Sequence, residues 1–148
     1  MPQLSLHSPI GDLSIAEDDG AIVSLDWGWA RDQQPTPLLE RAKAELEAYF
    51  DGRRRTFDLP LAPSGTAFQH SVWRAMQAIP SGATRTYGQL AAELHSAARA
   101  VGMACGANPI PVIIPCHRVL AANGLGGYSG DGGLDTKVAL LRLEGALL

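Results

Sequence analysis

Pro115-Cys116-His117-Arg118 concentrates more chemistry than any other stretch of this 148-residue chain. A thiol beside an imidazole and a guanidinium is placed to become thiolate, the nucleophilic form of cysteine. Neighbours in an extended strand point to opposite faces, so His117 can activate Cys116 only where the chain turns, or through an intervening water. An imidazole acting as base also needs an acid to orient it, and Glu144 and Asp135 near the carboxyl end are the candidates. Cys105 reads as an ordinary small buried hydrophobe. Metal binding is the competing use of these residue types, but Cys116 and His117 are adjacent, and Cys105, His95 and His70 follow no zinc-type spacing. No metal is expected. The glycine-rich run from Gly124 to Gly133 matches neither a Walker loop nor a dinucleotide fingerprint, and reads as a flexible pocket wall. Arg99 stands among Ala97, Ala98, Ala100 and Gly102. On a packed helix it is a solvated arginine; on a helix meeting DNA, the small neighbours allow close approach and the one long cation can enter a groove.

The elements that must position these residues fall into two groups. Leu4 and Leu6, Leu13 and Ile15, then Val23, Leu25 and Trp27 alternate with polar neighbours, and turn residues separate the runs. That is the pattern of a small antiparallel meander. Thr36-Pro37 starts a helix whose apolar face is Leu38, Leu39, Ala42, Leu46, Tyr49 and Phe50, closed by Asp51-Gly52. Arg53-Arg54-Arg55 reads as a solvated basic run beside an acidic helix. Proline and glycine cluster over 58–65, which marks a linker between a domain at 1–62 and a second at 66–148. Thr66-Ala67-Phe68-Gln69 and Thr86-Tyr87-Gly88-Gln89 both have capping-box spacing. Ser96 is placed to cap a further helix over 97–105. Two short helices joined by a tight turn, the second rich in small residues, fit a helix-turn-helix, although plain helical packing is the simpler reading of these residues taken alone. Val112-Ile113-Ile114, flanked by prolines, reads as a buried strand delivering Cys116, and the last helix spans 134–146. The fold class is mixed α/β (α+β): a small antiparallel sheet with a helix, then a winged-helix-like domain carrying the cysteine.

Composition narrows the function. With 46% hydrophobic residues and no long charge block, the chain is neither disordered nor rich enough in long apolar runs to span a membrane. The amino terminus has no basic region followed by an apolar run, and there are two cysteines, so a reducing, cytoplasmic setting is expected. Residues 1–65 hold 6 Lys/Arg against 11 Asp/Glu, and residues 66–148 hold 6 against 4. Phosphate contact needs cations, so any nucleic acid would be met by the back half.

From about Phe68 to Gly145 the chain resembles the O6-alkylguanine-DNA alkyltransferases, also called methylated-DNA–protein-cysteine methyltransferases. The matching stretches are Phe68-Gln69 with Val72-Trp73, Thr86-Tyr87-Gly88-Gln89-Leu90-Ala91, Ala98-Arg99-Ala100-Val101-Gly102, the block from Asn108-Pro109 to Pro115-Cys116-His117-Arg118-Val119, Gly127-Tyr128-Ser129-Gly130 and Leu143-Glu144-Gly145. The resemblance implies repair of double-stranded DNA containing O6-alkylguanine by direct reversal. A helix-turn-helix enters the minor groove, the damaged base is flipped out, and the alkyl group passes irreversibly to Cys116, once per molecule. It further implies that His117 takes the thiol proton through a water, that Glu144 orients His117, that Tyr87 protonates the departing guanine, and that Asn108 braces the turn before the cysteine. Arg99 fills the vacated space, with Thr86, Ala98, Ala100 and Arg118 also at the DNA, while Val119, Tyr128, Ser129 and Gly130 join Tyr87 around the base. No cofactor is needed, no membrane is involved, and a monomer is expected; cooperative assembly on DNA, alkyl size and O4-alkylthymine stay open. The turn Glu93-Leu94-His95-Ser96 is about two residues shorter than the family pattern and lacks its glycine–proline pair, and the 130–133 loop is longer. Some members hold zinc in the front domain, where this chain has no cysteine. The alternatives are a sensor of alkylated DNA with weak or no transfer, which would lack the acceptor cysteine, and a cysteine hydrolase or thiol-redox enzyme that does not bind DNA.

Overall fold

The computed structural model describes residues 1–147 and divides into two compact units, Met1–Ser64 and Gly65–Leu148. In the first, β1 (Gln3–Leu6), β2 (Leu13–Asp18) and β3 (Ala21–Trp27) form an antiparallel sheet in that order, with Leu4 opposite Ile15 and Ile15 opposite Leu25. A bulge shifts the register after Ala16, so that Glu17 pairs with Ile22 and Val23 is the extra residue. The bulge reverses the alternation there: Ile22 is buried and Val23 only half-buried, against the expected inward Val23. α1 (Pro37–Phe50) starts as expected, with the Thr36 side chain accepting from the Leu39 amide at 3.1 Å and proline in the first turn. Leu39, Ala42, Leu46, Tyr49 and Phe50 are buried, and the helix packs on β1 and β2. The Arg53 and Arg54 charges are matched by Asp51 and Glu45, at 3.0 and 3.1 Å. The chain then runs beside β3, where the Ile22 amide donates to Pro60 and the Ala62 amide donates back to Ile22, both at 2.8 Å.

The second unit contains α2 (Ala67–Gln77), β4 (Arg85–Thr86), α3 (Tyr87–Glu93), α4 (Ala98–Gly106), β5 (Val119–Leu120) and α5 (Leu134–Leu143). Both capping boxes form, at Thr66/Gln69 and at Thr86/Gln89. Val72, Trp73 and Met76 of α2 are buried, and Trp73 Nε1 donates to the Ala104 carbonyl at 2.9 Å, pinning the far end of α4. α3 and α4 pack against each other as a helix-turn-helix, and the two-residue strands β4 and β5 pair in parallel.

Three expectations about these elements need correction. Ser96 does not cap α4: the N-cap is Ala97, with no side-chain bond, because Ser96 is consumed by the preceding turn, its amide donating to Ala91 at 2.8 Å. Residues 112–114 form no strand. Val112 takes φ +72°, Ile114 donates back to Ile110 at 2.9 Å, and the segment closes into a turn with a single bridge between Pro111 and Ile114. The last helix ends at Leu143, three residues early, since Gly145 at φ +81° directs the Ala146 amide back to Leu141.

Candidate active site

Cys116 opens a single turn of 3-10 helix, Cys116–Arg118, in place of the end of a strand. Three residues per turn put neighbouring side chains about 120° apart, which removes the opposed-face geometry of a strand. Asn108 holds the segment leading into this turn. Its Nδ2 donates to the Ile114 carbonyl at 2.8 Å and its Oδ1 accepts from the Ile110 amide at 2.9 Å, spanning the left-handed Val112. A β-branched residue with positive φ is strained, so the asparagine does local work in keeping it there.

The cysteine lies on the wall of a cavity of about 440 Å³, lined by Tyr87, Gly102, Cys105, Gly106, Cys116, Gly127, Tyr128 and Ser129. That volume lies in the range of small-molecule sites, roughly 300–1,000 Å³. α4 supplies one wall, Tyr87 at the start of α3 another, and the glycine-rich loop the third. Gly126 lets that loop press on Tyr87: a Cβ there would stand 2.9 Å from the ring, on a backbone at φ +72°. Val119 and Gly130 fall outside this lining. Val119 is fully buried in β5, with its carbonyl accepting from Lys137. Cys105, read as an inert hydrophobe, is buried with its Sγ 3.4 Å from Met76 Sδ, and it also faces the cavity.

Behind Cys116 lies a buried polar cluster. Glu144, the residue that caps α5, takes His117 Nε2 on Oε2 at 2.8 Å; Arg118 grips both carboxylate oxygens, through Nε at 2.9 Å and Nη2 at 2.8 Å. The remaining Arg118 nitrogen, Nη1, donates to the Ile79 carbonyl at 2.6 Å. Arg118 was expected at the DNA and as a promoter of thiolate. It is neither, because its charge is buried and engaged in a bidentate pair with Glu144. Asp135, the other candidate acid, is exposed in the first turn of α5. With Nε2 turned to the carboxylate, His117 Nδ1 is buried without a partner among the described residues.

Electrostatics sets the resting protonation states. Burial pushes the Cys116 thiol up; a hydrogen bond from Asn108, the Lys137 charge, and the backbone amides of Cys116 and His117 pull it back down in part. Burial likewise pushes His117 below its ordinary value, against the Glu144 interaction that raises it and aided by the Arg118 and Lys137 charges. Cys105 is pushed up to about 12 by burial and by the neighbouring Cys116. Tyr87 and Tyr128 are raised too, chiefly by burial. At neutral pH the site therefore holds a thiol, a neutral imidazole and intact phenols.

Sequence reasoning missed Lys137. It is fully buried, and its Nζ donates to Val119 at 2.7 Å and Gly127 at 3.0 Å and sits 5.8 Å from the Tyr87 ring centre. Its signal was a cation on the stripe shared with the buried Leu141 and Glu144, at spacings of four and seven. The presumed DNA-facing residues lie elsewhere: Ala98 and Arg99 are exposed on α4, with Ala100 and Thr86 half-buried. Among the described residues no group of three or more His, Cys, Asp or Glu could hold a metal, and no helix is long and apolar enough to cross a membrane.

Comparison with known proteins places the whole chain in one family. Residues 67–146 match the family described as 6-O-methylguanine DNA methyltransferase, DNA binding domain, and residues 4–63 its ribonuclease-like domain. The methylated-DNA–protein-cysteine methyltransferase of Methanosarcina mazei is 56% identical, over 94% of each chain. The constitutive enzyme of Bacillus subtilis is 42% identical, over 93% of this chain and 92% of its own. The solved structure of Mycobacterium tuberculosis OGT in complex with DNA superposes with a TM-score of 0.87 at 42% identity, covering 99% of this chain and 94% of that one. The chain belongs to the 6-O-methylguanine-DNA methyltransferase family.

Proposed function

We propose that this protein repairs DNA by moving an alkyl group from O6 of guanine to its own Cys116. The observation that carries the reading is the position of Cys116, on the wall of a cavity whose other wall is the second helix of a helix-turn-helix. An O6 substituent lies inside the duplex, so the guanine must leave the stack and enter that cavity. His117 is neutral and has one ring nitrogen committed to Glu144, which leaves Nδ1 as the base. A water between Nδ1 and Sγ relays the thiol proton. The sulfur attacks the alkyl carbon, an S–C bond forms as the C–O6 bond breaks, and the departing electron pair goes to the purine. Tyr87, kept protonated by burial, donates a proton to the purine, and the proton taken from Cys116 restores the phenol. The net change is one alkyl group on sulfur and one proton on guanine. A thioether has no leaving group that water can displace, so each chain reacts once and needs no cofactor.

Arg99 is the cation that fills the vacated stack, with Ala98 and Ala100 allowing the helix to approach the groove. Thr86 serves the site by capping α3 and thereby holding Tyr87. The thiol-redox alternative requires an available partner thiol, and Cys105, held near pKa 12, is a poor one. The test is the mass of the intact protein after incubation with a duplex containing O6-methylguanine. One added methyl is expected, located on Cys116 and absent in Cys116→Ala, which still binds the duplex; methyl uptake by that variant would reject Cys116 as the acceptor.

A further inference from the structure

α4 divides its surface sharply. At 100° per residue, Val101, Ala104 and Cys105 turn inward and are buried. Around the opposite arc come Ala98, Gly102, Gly106, Arg99 and Met103, in that angular order. Gly102 and Gly106 line the cavity that holds Cys116, and beyond the adjoining turns of α4 itself nothing lies within 4 Å of where a Cβ would stand on either. Beyond Met1, Met103 is the most exposed large apolar residue described, at 70%. It lies four residues after Arg99, on the same side of the helix, with Arg99 between it and the cavity wall.

We propose that Met103 is a second groove contact, an apolar wedge that works beside Arg99. Its thioether seats against the faces of the base pairs flanking the extruded guanine, so that a cation and a wedge one turn apart keep the duplex open. The inference rests on the reading that α4 faces DNA and adds a residue to it. Three observations support it. The arc around Met103 is otherwise alanine, glycine and arginine, so the helix backbone can come close and the methionine is the only apolar group with reach. Methionine is unbranched and polarisable and moulds itself to irregular surfaces, and proteins of the minor groove insert such side chains between base steps. Arg99 and Met103 also act by different forces. Arg99 carries a positive charge into the duplex and so releases condensed counterions, whereas Met103 buries apolar surface and releases none.

That difference supplies the test. The full-length wild type, Met103→Ala, Met103→Leu and Arg99→Ala would be compared for alkyl transfer from a methylated duplex and from free O6-methylguanine base, and for duplex affinity by anisotropy across a salt series. Met103→Ala is expected to slow the duplex reaction and weaken duplex affinity by roughly five- to tenfold, leaving the free-base rate and the slope of log affinity against log salt unchanged. Met103→Leu recovers most of the loss, and Arg99→Ala makes the salt slope shallower. Wild-type duplex affinity in Met103→Ala would overturn the proposal, as would equal losses on both substrates. A wild-type chain that binds duplex without taking up alkyl removes the transfer reading alone, because the affinity arm still decides the role of Met103.

Discussion

Lys137 ion-pairs with no carboxylate among the described residues; its Nζ donates to two carbonyls, and its charge favours the anion that Cys116 becomes during reaction. Removing the charge as Lys137→Met should move the thiol further up and shift the pH–rate profile of single-turnover transfer to higher pH, with the loss largest at neutrality. His117 gives the opposite sign. Its folded value lies below the ordinary 6.5, so the unfolded chain takes up that proton first and stability declines as pH falls below about 6.5, levelling off beneath the folded value. Urea unfolding at pH 7.5 and at pH 5 measures this decline. Glu144→Gln removes the carboxylate shared by His117 and Arg118 and leaves a buried guanidinium unpaired, at a cost of about 3–5 kcal/mol; calorimetry reads the cost and the transfer rate reads the loss of imidazole orientation. Only part of this cluster was legible from sequence. Glu144 could be named as the orienting acid, but Arg118 was misassigned, since its partners lie 26 and 39 residues away and no local pattern reports them.

Among the elements, those set by local chemistry were legible and those set by distant packing were not. Thr36, Thr66 and Thr86 cap their helices because a hydroxyl and the amide it satisfies lie three residues apart, so the signal is contained in the sequence. Residues 112–114 have the composition of a strand yet form a turn, because Asn108 bonds across the segment and holds Val112 left-handed. The short turn between α3 and α4 is resolved similarly. His95 occupies φ +54°, its amide donates to Ala92 at 3.3 Å and that of Ser96 to Ala91 at 2.8 Å, which makes the helix-ending motif that glycine usually serves. His95→Gly relieves the left-handed strain and pays back part of it as unfolded-chain entropy, for a net gain of about 0.5–1 kcal/mol. The expected result is a raised Tm with alkyl transfer unchanged.

For the whole molecule, charge decides how the protein meets DNA. Of the six Lys/Arg in residues 66–148, Arg118 and Lys137 are buried, so at most four, Arg74, Arg85, Arg99 and Arg142, can meet phosphate, and Arg142 already has an interaction within the chain. Arg85 already pairs with Glu93 at 3.2 Å. With two to four phosphates neutralised, log affinity should fall against log salt with a slope of roughly −2 to −4, far shallower than that of a strongly basic DNA binder. Filter binding between 50 and 200 mM salt, on the order used for such slopes, checks it.

The stretch around Leu61, read from its prolines as a plain connector, hydrogen-bonds on both sides of Ile22 and so covers the outer margin of the three-stranded sheet. Where the chain is severed is therefore consequential. A protease nick or an engineered stop ahead of Pro60 would strip that margin and bare the Ile22 amide and carbonyl for a neighbouring molecule to zip onto, giving insoluble front halves. A break after Ser64 leaves the cover in place and the fragment in solution.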